Sequence, residues 1–181
     1  CLIGVTTVSN IGRQVCVAIW TIMKEEHLPQ PTKQEWIRIA DRFKSQSHFP
    51  NCIGAVYGNH IKVMKPPHSG SLYFNYKKHC SIVLLAICDV DYKFISIDVG
   101  AYGKCSDAAM FRDSAFYGKV INNEVNVPEK MPVASNDSTP VPFVLLKDEA
   151  FELSDRIMRP YAGNNWTVKQ RVFNYRLSRA R

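Results

Sequence analysis

No C-x-x-C pair occurs in this sequence, no two histidines stand four residues apart, and no apolar run approaches the length of a membrane span. The six cysteines, Cys1, Cys16, Cys52, Cys80, Cys88 and Cys105, are scattered, which argues against structural zinc and against a disulfide framework. Cys16 and Cys88 sit within apolar patterns, where a thiol behaves as a small hydrophobe. The longest apolar stretch, Ser81 to Cys88, is far below the roughly 20 residues of a spanning helix. The first residues lack the basic region and apolar core of a signal peptide. The chain therefore reads as soluble and intracellular, with no membrane partner. It also lacks internal repeats and low-complexity tracts.

Acidic residues are missing from one region. Beyond Asp155 there are seven Lys or Arg residues and no acid, so the net charge of +7 arises entirely between Arg156 and Arg181. Such an asymmetry suits a polyanion, nucleic acid being the commonest; a solvated basic tail is the competing account.

With 181 residues and 46% hydrophobic content, the chain is long enough for one sizeable domain with a small appendage. In Val8, Ile11, Val15, Ala18, Ile19 and Ile22 the apolar positions recur every three to four residues, which predicts a helix over about Thr7 to Met23 with one buried stripe. Thr32 and Glu35 have the spacing of a capping box, and Trp36, Ile37, Ile39, Ala40 and Phe43 supply the next helix with an apolar face. From Ile53 the pattern becomes strand-like. Runs around Val56 to Val63, Ser81 to Cys88 and Ile95 to Val99 are separated by turn residues, the last two by a short connection at Asp91-Tyr92. Ser106 is placed to cap a helix carrying Met110 and Phe111, broken near Asp113 and resumed to Ile121. Asn122 to Pro142 reads as a long loop, Pro142 to Leu146 as a fourth strand, and Thr167 to Arg181 as a last helix. Strands in succession followed by helix, strand and helix make a mixed α/β layout with helices flanking one sheet.

The stretch Phe49-Pro50-Asn51-Cys52-Ile53-Gly54-Ala55-Val56-Tyr57-Gly58-Asn59-His60-Ile61 resembles the first catalytic motif of Harbinger-type transposases and their domesticated nuclease relatives. Tyr73 to Lys77, Ser81 to Ala86, Asp98-Val99-Gly100, Ser106-Asp107-Ala108, Phe143 to Phe151, Met158 to Tyr161 and Phe173 to Arg181 continue the resemblance in order. It implies an RNase H-like fold with a DDE nuclease site, in which three acidic side chains hold two divalent ions, Mg²⁺ or Mn²⁺, for phosphodiester cleavage. Hard ions need carboxylate oxygens brought together from separate elements, and a pair of them stabilises both the attacking and the leaving oxygen. The resemblance also implies DNA as ligand, a protein partner of helix-turn-helix or Myb-like type, and a nuclear location.

The match is incomplete at the catalytic positions. Tyr57 stands where the family has its first Asp, and a neutral phenol offers no anionic bridging ligand. Asp148 matches the second acid, preceded by Lys147 where the family usually has Gly. The third acid is a Glu beyond the Arg-Ala-Arg segment, past Arg181. His60 and Asp107 match auxiliary positions, although Asp107 beside Ser106 also fits helix capping. Arg171, Arg176, Arg179 and Arg181 are the candidate DNA contacts. Residues 1–50 are expected to form a helical segment with part of a helix-turn-helix, Thr6, Thr7, Ser9, Asn10 and Arg13 facing DNA, and 51–181 a DDE nuclease-like domain cut short at its C-terminus. Two behaviours stay open: a metal-dependent nuclease, or a catalytically silent DNA- or protein-binding domain or decayed gene fragment.

Overall fold

The computed structural model describes residues 3–134 and 137–181. Two compact units divide the chain, residues 1–30 and Pro31–Arg181. The first consists of helix α1 (Val5–His27), which runs four residues beyond the expected end at Met23. None of its residues is buried, so the stripe of Val8, Ile11, Val15, Ile19 and Ile22 that periodicity predicts as buried faces solvent.

The second unit opens with α2 (Lys33–Ser47), where the predicted capping box forms: the Glu35 amide donates to Thr32 Oγ1 at 3.3 Å, and the Thr32 amide donates to Glu35 Oε2 at 2.7 Å. His48, in the left-handed region at φ 54°, ends the helix. Trp36, Ala40, Phe43 and Ser47 recur every three to four residues and are buried, and the Trp36 indole satisfies its N–H on the Val125 carbonyl at 2.7 Å. Burying each such aromatic contributes about 1.5–3 kcal/mol. These contacts tie α2 to the sheet, so the compact unit starts at Pro31 rather than after residue 50.

One sheet organises this unit, with strand order β3-β2-β1-β6-β7. Strands β1 (Cys52–Lys62), β2 (Ser81–Cys88) and β3 (Phe94–Tyr102) form an antiparallel meander. Asp89 Oδ1 accepts from the Asp91 and Lys93 amides, and Tyr92 takes φ 62°, closing the β2–β3 turn near Asp91-Tyr92 as expected. Strands β6 (Val144–Leu146) and β7 (Ile157–Met158) then run parallel to β1 on its other side. A central strand covered on both faces reads as a continuous apolar run, and Cys52 through Val56 are all buried. Helices α3 (Asp107–Asp113) and α4 (Ala115–Ile121) follow the meander, and α5 (Val168–Ala180) closes the unit against α2. This mixed sheet flanked by helices has the RNase H-like arrangement.

The loop expected over Asn122 to Pro142, whose residues 135 and 136 lie outside the described residues, holds a hairpin of β4 (Met131–Ala134) and β5 (Asp137–Val141). Pro132 pairs with Pro140 in it; two prolines in short strands hide the pattern, because proline reads as a breaker and is tolerated only where no ladder donor is needed. The Asn51 amide donates to the Met131 and Val141 carbonyls at 2.9 and 3.0 Å, pinning the hairpin beside β1. Among the described residues Cys16, Cys52, Cys80, Cys88 and Cys105 are free thiols, Cys1 lying outside them. No helix among the described residues is long and apolar enough to cross a membrane.

Candidate functional site

Tyr57 and Asp148 come together because their strands are neighbours. In β1 and β6 the parallel register pairs Ala55 with Leu146, so position 57 and position 148 both lie two residues further on, at the same end of adjacent strands. Successive side chains on a strand point to opposite faces. Tyr57 accordingly faces α5, where it shares a small cleft with Arg179 and Arg181. Gly58 faces α3, and its missing side chain leaves the room that the Asp107 carboxylate occupies.

On the α5 side the Arg181 guanidinium lies 5.8 Å from the Tyr57 ring centroid and brings Nη2 to 3.8 Å from Asp148 Oδ2. Burial raises the Tyr57 phenol above its ordinary pKa, with Arg181 opposing, so Tyr57 is neutral at physiological pH. Asp148 Oδ1 accepts from the Ala150 amide at 3.1 Å, and Arg159 Nη1 donates to the Glu149 and Phe151 carbonyls at 3.0 Å each, which holds the turn that presents Asp148.

On the α3 side, burial raises the pKa of the Asp107 carboxyl; His60 and Lys77 pull it down and Asp148 pushes it up further. Asp107 and His60 thus share the face opposite Tyr57. His60 Nδ1 is 2.9 Å from Ser81 Oγ, and its ring meets Tyr76 edge-on with centroids 5.3 Å apart. Ser81 also accepts from Asn75 Nδ2 at 2.8 Å, while Asn75 Oδ1 accepts from the Lys77 and His79 amides. This buried network is not apparent from the sequence. Its sequence signal is the asparagine of the Tyr73 to Lys77 motif, whose side chain accepts from the amides of the turn to His79.

Lys147 is wholly buried, with its amino group over the rings of Phe111 and Phe151 and no hydrogen-bond partner. Burial lowers its pKa to about 6, against the opposing pull of Asp148. The side chain therefore packs into the α3 face of the core, away from the Tyr57 cleft. Nothing in its local sequence signals this, since a lysine at a strand end normally reaches solvent.

Of the four arginines, Arg171, Arg176 and Arg179 are exposed on α5, Arg179 donating to the Gln46 carbonyl at 3.2 Å. Arg181 differs, with a side chain only 25% exposed and turned onto Asp148. Among the described residues no group of three His, Cys, Asp or Glu side chains is arranged to hold a metal ion. Among the described residues the α5 face of the site offers the Asp148 carboxylate, already paired with a guanidinium, the Asp89 carboxylate, whose Oδ1 accepts from two backbone amides, and one neutral phenol. Such a donor set does not fit a pair of hard divalent ions, which shed water only for several anionic oxygens.

The family model described as DDE superfamily endonuclease matches residues 56–181. The chain is also 30% identical over 156 residues to Protein ALP1-like of Arabidopsis thaliana, an alignment covering 85% of this chain and 37% of that relative. No solved structure matches the chain. The chain belongs to the DDE superfamily endonucleases. Within that class it falls among the Harbinger transposase-derived nucleases, the family that the ordered motifs resemble. Endonucleases of this superfamily generally use divalent metals. The chain spans about 37% of the length of the curated relative it matches.

Proposed function

We propose that this chain is a transposase-derived DDE endonuclease-like domain that binds duplex DNA without cutting it. The observation that carries the reading is the contact of Arg181 with both Asp148 and Tyr57, at the positions of the family's second and first acids. The family's chemistry is metal-dependent phosphodiester cleavage, with Mg²⁺ or Mn²⁺ neutralising charge at the attacking and leaving oxygens. A guanidinium in that place neutralises the remaining carboxylate but supplies no coordination position for a nucleophile. DNA as ligand is supported by Arg171, Arg176 and Arg179, exposed on a helix within which, and for a dozen residues before which, no acid occurs. A nuclear location and a helix-turn-helix or Myb-like protein partner accompany this reading.

Plasmid nicking in Mg²⁺ and in Mn²⁺, together with fluorescence anisotropy on a labelled duplex at several salt concentrations, tests it. The expected result is no nicking, and weak binding without marked sequence preference whose logarithm falls with log salt by about 0.9 for each phosphate neutralised. Replacing Arg171, Arg176 and Arg179 by Ala should flatten that slope. Metal-dependent nicking that Asp148→Ala abolishes would overturn the silent reading, and affinity unaffected by the three substitutions would overturn the DNA contact.

A further inference from the structure

A half-open cavity of about 300 Å³ lies where the end of α2, the β4–β5 hairpin, β6 and α5 meet. It is far from empty of character. Its floor is apolar, built from Phe49, Val144, Met158 and Phe173, while His48, Lys169 and Arg176 stand at its edge and none of the residues lining it is acidic. Phe49 and Phe173 brace each other with ring centroids 5.6 Å apart, and Tyr161 packs edge-on against Phe173 at 5.3 Å, so the floor is set by side chains that hold one another.

The cavity does not stand alone on this surface. On α5 the inward residues Phe173, Leu177 and Ala180 follow helical spacing. A second stripe, Val168, Val172 and Tyr175, is 73%, 43% and 63% exposed at positions i, i+4 and i+7. Residues so spaced form one ridge along a helix, and Val172 joins that ridge to the cavity wall. At about 300 Å³ the cavity is at the small end of ligand pockets, with room for a few apolar side chains. A metabolite seated in it would leave Val168 and Tyr175 uncovered; an amphipathic segment lying along α5 would cover the ridge and place its anchors in the cavity. The charge is equally one-sided, since Lys169, Arg171, Arg176 and Arg179 rise from the same helix and no acid stands among them.

We infer that this cavity and the Val168–Val172–Tyr175 ridge form a docking site for an acidic amphipathic helix of a partner protein, with large apolar anchors at helical spacing. Duplex DNA can satisfy the arginines but has no apolar anchor of this kind to fill the floor. The site is distinct from the Tyr57 cleft, and it stands whether or not the domain cuts DNA.

The test uses the whole chain and a fluorescein-labelled peptide in which Leu and Phe recur every three to four residues among Glu and Asp, with two control peptides. One control replaces the anchors by Ala, and the other replaces the acids by Lys. Anisotropy should show micromolar binding for the parent peptide and at least tenfold weaker binding for each control. Val172→Gln, at a half-exposed helical position, should weaken the parent peptide at least tenfold while leaving duplex affinity within twofold. Arg176→Gln should weaken the peptide as well. Equal binding of the Ala control would overturn the proposal by reducing the surface to a patch of charge. A Val172→Gln variant that binds peptide normally would overturn it too. Concentration-dependent self-association lost in Val172→Gln would give the ridge to a second copy of this chain and would likewise overturn it.

Discussion

Arg181 Nη2 lies 3.8 Å from Asp148 Oδ2, joining the end of the last helix to the turn after the fourth sheet strand in sequence order through the main sheet. A side-chain cation thus meets the Asp148 carboxylate, with the Tyr57 ring beside it.

Because both partners are partly exposed, at 25% and 45% of their side chains, the pair should contribute little to stability. Arg181→Gln should change the free energy of unfolding in urea by less than about 1 kcal/mol. A larger loss would mean that Arg181 is a structural anchor of α5 rather than a neutralising group.

Restoring one acid should not restore a metal site. Tyr57→Asp alone gives two carboxylates facing a guanidinium, whereas Tyr57→Asp combined with Arg181→Glu removes the guanidinium and offers three carboxylates from β1, the β6 end and α5. Only the double variant should bind Mn²⁺ with an affinity measurable by titration calorimetry, in keeping with the need of hard ions for several anionic oxygens. Comparable Mn²⁺ binding by the unaltered chain would show that other ligands serve.

Lys147 should make stability depend on pH. Its folded pKa of about 6 lies below the ordinary 10.5, so between these values the unfolded chain binds more protons than the folded one. Stability should therefore rise with pH from about 6 towards 10.5, with a slope from this group of at most about 1.4 kcal/mol per pH unit. Lys147→Met keeps most of the length of the side chain, removes the unpartnered amino group, and should raise stability at pH 7 by an amount on the order of a few kcal/mol. Urea unfolding of both proteins between pH 6 and 9 checks this: a slope that persists in Lys147→Met would remove Lys147 as its source.

The polar network on the α3 face should be costly to break. Ser81→Ala leaves Asn75 Nδ2 and His60 Nδ1 without their shared partner, a loss of about 1–3 kcal/mol. Gly58→Ala should cost a comparable amount, because its Cβ would occupy the space of the Asp107 carboxylate and overpacking of this kind costs about 1–3 kcal/mol. In Gly58→Ala the loss should shrink when Asp107 is also changed to Ala, measured as a double-mutant cycle; strict additivity would show that the two positions do not touch.

By itself the sequence determined what depends on neighbours along the chain. The Thr32–Glu35 capping box, the Ser106 cap, the turn after Asp89 and the apolar runs of the first three strands are contacts within a few residues, and each forms where spacing predicts it. The ordered motifs likewise named the family without any geometry. What only the tertiary structure decided are relations between distant residues. A one-residue step along β1 sends Tyr57 towards α5 and Gly58 towards Asp107, which separates Asp107 and His60 from the family's first position although His60 belongs to the same motif. Arg181, read as a DNA contact, turns onto Asp148 because α5 ends beside the turn after β6. Lys147 enters the core because its backbone continues the ladder to Met158 and leaves the side chain on the α3 face. The β4–β5 hairpin pairs through prolines that locally signal a loop, and it is held by Asn51, some eighty residues earlier by about the same count of chain. Local chemistry sets caps and turns, but which face a side chain occupies, and what it meets there, follows from strand order and register across the whole sheet.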